Sequence, residues 1–125
     1  MRRLLRGALL VGAGLAAACE DLPNVPPTAA FIFSPVSPIA AGGTGVVFNA
    51  SASSDSDGRI VSYVWEFGDG SPAQTVSETT VVHVFPNTPA TCIQVTYAVL
   101  LTVSDDGGGR ASASQQVNVT EDCTR

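Results

Sequence analysis

Residues 60–71 read IVSYVWEFGDGS. Val61, Tyr63, Trp65 and Phe67 alternate with smaller or polar neighbours. A two-residue apolar period is that of a strand with one buried face. GDGS then ends the run: Gly68 and Gly70 suit the unusual dihedrals of a tight turn, and Asp69 can accept backbone N–H groups inside it. Trp65 is the only tryptophan of the chain. A strand that carries such a ring in its middle and stops at a turn belongs in a core. Stacking of Trp65 on a ligand is the rival reading.

Working outward, no helical period occurs from residue 29 onward. Short apolar runs alternate with clusters of Gly, Pro, Ser, Asn and Asp, the pattern of an all-β sandwich. Strands are expected at Ala30–Phe33, Gly45–Asn49, Ile60–Phe67, Gln74–Ser77, Thr80–Phe85, Tyr97–Val103 and Ala111–Val119. Tyr97, Val99, Leu101 and Val103 share one face, as do Ala111, Ala113, Val117 and Val119. Ser112, Ser114, Gln116 and Asn118 point to water. DDGGGR between them is turn chemistry, so the last two strands form an antiparallel hairpin.

The stretch FNASASSDSDGRIVSYVWEFGDGS, residues 48–71, resembles the polycystic-kidney-disease (PKD) domain family. His83-Val84-Phe85 and YAVLLTVSD, residues 97–105, fit its later elements, and the likeness runs over about residues 26–120. It implies an all-β, Ig-like β-sandwich of about seven antiparallel strands, used as a spacer or interaction module. One departure is the insertion NTPATCIQVT, which carries Cys92. Strands of such a sandwich run alternately up and down, which brings this insertion and the end of the last strand to one pole. A Cys92–Cys123 disulfide is therefore expected, against two buried free thiols. Inward residues of the hairpin are odd-numbered, Cys92 is even and Cys123 odd, so the bond requires a bulge or break near the insertion.

Asp55 and Asp57 lie in the loop before the tryptophan strand, and Asp105 and Asp106 in the hairpin turn, at the opposite pole. Converging carboxylates repel, and calcium, which takes six to eight oxygen ligands, relieves this. Some PKD domains of secreted bacterial enzymes bind calcium near this loop, and by that resemblance Asp55, Asp57 and Asp105 are the candidate ligands. Asp and Gly also build turns that need no ion.

The chain begins MRRLLRGALLVGAGLAAAC. Arg2, Arg3 and Arg6 precede an apolar run from Gly7 to Ala18, too short to cross a hydrocarbon core of about 30 Å. This is the form of a secretory signal peptide, residues 1–18. LAAAC resembles a bacterial lipoprotein box, in which Cys19 takes a diacylglycerol and becomes the mature N-terminus. Leu15 stands one place earlier than that family prefers, and plain secretion is the alternative. Acylation of Cys19 leaves an even pair among the three cysteines. Residues 19–28 then read as a lipidated, proline-rich tether, 29–120 as the sandwich and 121–125 as a tail.

The 125 residues carry six arginines, no lysine and 11 acids, a formal charge of -5. Without the leader, three arginines face the same 11 acids, giving -8. Nucleic acid is excluded as a partner, because it demands a basic footprint. Lysine-based isopeptide crosslinks are excluded too. His83, the only histidine, reads as a packed residue. One histidine without ligating neighbours makes neither a zinc site nor, in the absence of a G-x-S-x-G elbow, a serine triad. Glu66 and Asp69 fall within the structural motif, so no glycosidase pair is assigned.

The expected protein is a non-catalytic, monomeric lipoprotein of the bacterial cell envelope. It displays one sandwich for protein or polysaccharide interaction and requires no cofactor other than possible Ca2+. A purely structural spacer, and a calcium-stabilised carbohydrate-binding accessory module, are the alternatives. The second would want exposed aromatics, whereas Phe31, Phe33, Phe48, Tyr63, Trp65, Phe67, Phe85 and Tyr97 fall mostly on core positions.

Overall fold

The alternation above dictates two sheets facing each other, and a computed structural model shows them. It describes residues 22–88, 92–121 and 123. The leader and Cys19 lie outside the described residues. In chain order the strands are β1 (Ile32–Ser34), β2 (Ile39–Ala40), β3 (Gly45–Asn49), β4 (Ile60–Glu66), β5 (Gln74–Val76), β6 (Thr80–Val84), β7 (Gln94–Asp105) and β8 (Arg110–Thr120). One sheet has the order β1-β3-β6, the other β2-β8-β7-β4-β5.

The hairpin forms as expected, with Gln94↔Thr120 through Ser104↔Arg110 in unbroken antiparallel register. Two differences concern the strands. β2 was not expected, and it pairs in parallel with β8, Ile39 opposite Val119. It lies just beyond Pro35 and Pro38, where two residues carry no readable period. The second correction is Val61, which is 40% exposed rather than inward. The β4–β7 register shifts between Ile60 and Ser62. That bulge resets the parity, so Ile60 packs against the core and Val61 turns to solvent.

Between the sheets Phe31, Phe48, Tyr63, Trp65, Phe67 and Phe85 are buried, with Val99, Leu101, Val103, Val117 and Val119. Phe48 lies at the centre, its ring 5.6 Å from Trp65, 5.2 Å from Phe67 and 6.3 Å from Phe85 between centroids. Among the described residues Trp65 Nε1 has no hydrogen-bond partner. That omission costs about 1–3 kcal/mol. Burial of the ring contributes about 4–6 kcal/mol at 25 cal/mol per Å² over 150–250 Å², so packing wins.

The turn after β4 holds because Gly68 has φ +76° and lies against β7, where a Cβ would stand 2.5 Å from the Ala98 carbonyl oxygen. Asp69 ties this turn to the other sheet. Its carboxylate accepts from the Ser71 hydroxyl at 2.5 Å and contacts His83 Nε2 on β6 at 2.6 Å. The His83 ring stacks on Phe67 with centroids 3.8 Å apart.

At the far pole Cys92 and Cys123 are bonded, with Cα atoms 5.3 Å apart. The expected break lies between Cys92 and the start of β7: Cys92 sits outside the strand with φ 51°. Beside it, Thr88 donates its hydroxyl to Glu121 at 2.9 Å.

Candidate metal centre

Asp55 and Asp57 come from the loop between β3 and β4, and Asp105 closes β7. Each offers a carboxylate oxygen, and the three oxygens lie within 4.8 Å of one another. The sandwich thus brings together the three acids that the sequence singled out. It does so because β4 and β7 are antiparallel neighbours, with Ile60 opposite Asp105. Asp106 anchors the same loop through its N–H to the Arg59 carbonyl at 3.0 Å.

The three carboxylates are not equivalent. Asp105 is buried and well served: it accepts from the Asn24 amide at 2.8 Å and from the N–H groups of Gly109 at 2.6 Å and Gly107 at 3.0 Å. The Asn24 hydrogen bond, with those backbone donors, holds its pKa below the ordinary value. Asp57 is exposed and accepts from the Val25 N–H at 2.8 Å. Asp55 differs from both. Neither of its oxygens meets a hydrogen-bond donor among the described residues, though both are shut off from solvent. Lost solvation, then the charges of Asp105 and Asp57, a carboxyl–carboxyl contact with Asp57 and the charge of Asp106, push its pKa up. Gly58 makes the approach possible, since a Cβ there would stand 2.9 Å from Asp55 Oδ2 and strike Asp106.

Two buried, unpartnered carboxylate oxygens beside two further carboxylates fit a hard cation with oxygen ligands. Imidazole or thiolate metals do not fit, because no His or Cys belongs to the group. Calcium would be held by Asp55, Asp57 and Asp105, and would supply charge neutralisation and crosslinking of two loops.

Sequence reading missed Asn24 and Val25. Residues 20–28 were expected to stand free as a tether. Instead, part of that segment lies across the acidic pole. Asn24 and Val25 contact Asp105 and Asp57, and Thr28 and Ser54 exchange backbone hydrogen bonds of 2.7 and 3.0 Å. A Cβ on Gly109 would lie 2.7 Å from the Asn24 amide nitrogen, so that glycine makes room for the strap. Nothing local announces this docking, because the partners are 81 and 32 residues away.

No catalytic constellation emerges from Ser71, Asp69 and His83. The serine bonds the aspartate rather than the imidazole, so the serine–histidine contact of a triad is not made.

The PKD domain model matches residues 24–120, starting at the strap. The chain belongs to the PKD domain family, whose members are accessory modules. Among characterised relatives, collagenase ColQ1 of Bacillus cereus is 38% identical over 77 residues, which are 62% of this chain and 7% of the collagenase. The pre-pro-metalloprotease PrtV of Vibrio cholerae is 38% identical over 73 residues, 58% of this chain and 7% of the protease. The chain therefore spans only a small part of these enzymes. Among solved structures, the PKD1 domain of PrtV superposes with a TM-score of 0.57 at 33% identity, over 77% of this chain and 99% of that one. A structure reported for the promiscuous specificity of carbohydrate-binding modules of the β-sandwich superfamily gives 0.69 at 39% identity. It covers 80% of this chain and 36% of that one.

Proposed function

We propose that the chain is a non-catalytic display module: an exported lipoprotein, anchored through Cys19, that holds one PKD sandwich outside the membrane for protein or polysaccharide interaction. The observation that carries the non-catalytic reading is where the chemistry-bearing residues go. The sole histidine is spent clamping a turn, and the acids gather where an ion, not a substrate, satisfies them. No helix among the described residues is long and apolar enough to cross a membrane; on this reading the acyl chains on Cys19 provide the attachment. Each buried CH2 contributes about 0.8 kcal/mol, and two chains hold stably where one is marginal.

Calcium at Asp55, Asp57 and Asp105 fixes the loops and, through Asn24 and Val25, the direction in which the domain leaves its tether. A carbohydrate-binding role has the structural neighbour in its favour. Against it, Phe31, Phe48, Tyr63, Trp65, Phe67 and Phe85 are buried, and Phe33 and Tyr97 pack against them, so no aromatic platform is offered. The module reading is tested by melting the protein in calcium and in chelator. Calcium at 100 times its Kd adds about 2.7 kcal/mol, which for a domain of about 100 residues raises Tm on the order of 10 °C. Asp55→Asn removes the shift. Identical melting curves would reject the site.

A further inference from the structure

Cys19 stands three residues before Leu22, where the strap begins. Extended backbone spans at most about 3.6 Å per residue, so Leu22 lies within roughly 11 Å of Cys19. The headgroup layer of one leaflet is about 5–7 Å deep. On the anchored reading given above, on which this inference rests, a diacylglycerol on Cys19 therefore brings the acidic pole to the headgroups.

What that pole presents fits such a surface. Leu22 is 88% and Val25 47% exposed. The backbone that carries them is tied down, because Asn24 and Val25 bond Asp105 and Asp57. Arg59 stands just before β4, and its carbonyl accepts from Asp106. Arg110 opens β8, next to Gly109, which seats Asn24. Both arginines are exposed. Among the described residues the one ion pair is His83 with Asp69, so neither guanidinium is spent inside the fold. Only three arginines follow Cys19, and two of them are here. Of the four acids, Asp105 is buried and the Asp55 oxygens are shut off from solvent. Asp57 and Asp106 are exposed, so the outward charge of the folded pole is two arginines against two aspartates.

We infer that this pole docks on a zwitterionic phospholipid surface, with Leu22 and Val25 entering the headgroup layer and Arg59 and Arg110 holding lipid phosphates. Guanidinium groups pair with phosphate through parallel N–H donors, and their long stems lie along apolar surface while the charge stays wet. The exposed aspartates face the ammonium groups of the same headgroups. Charge selects this lipid class. Glu20 and Asp21 lie between the anchor and the strap, and with them the approach to the membrane is net acidic. A surface of anionic lipid repels it, whereas a headgroup that carries both signs matches it. The disulfide pole and the insertion then face away from the membrane.

The test uses the full chain, produced with its leader in a bacterial host and reconstituted from detergent into vesicles that carry a nitroxide quencher on the lipid headgroup. Chelator is present throughout, so the outcome does not depend on calcium. Ser56→Cys places a fluorophore at the acidic pole, between Asp55 and Asp57. Gly43→Cys places one at the far pole, where a Cβ meets nothing within 4 Å. In vesicles of phosphatidylethanolamine and phosphatidylcholine, the probe at 56 is quenched and the probe at 43 is not. Changing Leu22→Ser, Val25→Ser, Arg59→Gln and Arg110→Gln together leaves the melting curve and the lipid in place and abolishes quenching at 56. Added phosphatidylglycerol weakens it. Equal quenching at 56 and 43, quenching that survives the four substitutions, or stronger quenching with anionic lipid would each overturn the inference. Intact mass of the same samples separates the two levels. A chain without lipid on Cys19 fails the anchored reading and this inference with it, whereas a lipidated chain with an unquenched probe at 56 fails this inference alone.

Discussion

Phe48→Ala lowers the unfolding free energy by about 3–5 kcal/mol, the range for emptying a buried aromatic site. Phe48 has no exposed surface and lies among Phe31, Phe33, Trp65, Phe67 and Phe85. These rings come from both sheets, so the cavity opens at the layer between them and cannot close by moving one strand. The cost is a large share of the roughly 5–15 kcal/mol available to a domain. Phe48→Leu refills part of the space and costs less. Urea unfolding with an unchanged m-value measures both. A loss below about 1 kcal/mol for Phe48→Ala is the scale of a surface change and would mean that the core is not centred here.

Removing the disulfide by Cys92→Ser with Cys123→Ser costs about 3–4 kcal/mol in the chain-entropy model for a separation of 31 residues. The closed loop includes all of β7 and β8, so the bond restrains the largest hairpin of the fold and the insertion beside it. For a domain of about 100 residues this lowers Tm by roughly 15 °C or more. Thermal melting with and without reductant reads the same effect in the unmutated chain. Equal melting points would show that the bridge closes a segment already ordered in the unfolded ensemble.

The fold was legible wherever one residue in two faced the core. β7 and β8 keep their parity over eleven paired positions, and the turn after Trp65 has a composition that nothing but a turn requires. Legibility failed where the parity was broken or the partner was distant. Val61 continues the apolar alternation of β4 in sequence, but the bulge beside it is a backbone event with no side-chain signal. β2 is too short to have a period. The acidic pole could be read because loop order in an antiparallel sandwich fixes which turns share an end. Its inner organisation could not. That Asp55 is left unpartnered while Asp105 collects several donors depends on Asn24, whose amide arrives from a segment that reads as plain linker.

The same strap would join the domain to the proposed anchor. On the proposed reading a lipid on Cys19 would stand a few residues before Asn24 in the sequence, and the anchor would be close along the chain to the pole where calcium is proposed. Attachment and site would then be two ends of one short segment, and the sandwich would be held in a defined orientation above the membrane.

Display at the membrane is the central claim, and intact-mass analysis of the full chain recovered from the cell envelope tests it most directly. The account predicts a mature protein that begins at Cys19, carries a diacylglycerol with or without a further acyl chain, and partitions into the detergent phase. Cys19→Ser moves it to the soluble fraction. A product that begins elsewhere, or one that begins at Cys19 without lipid and is recovered in the soluble fraction, would contradict it.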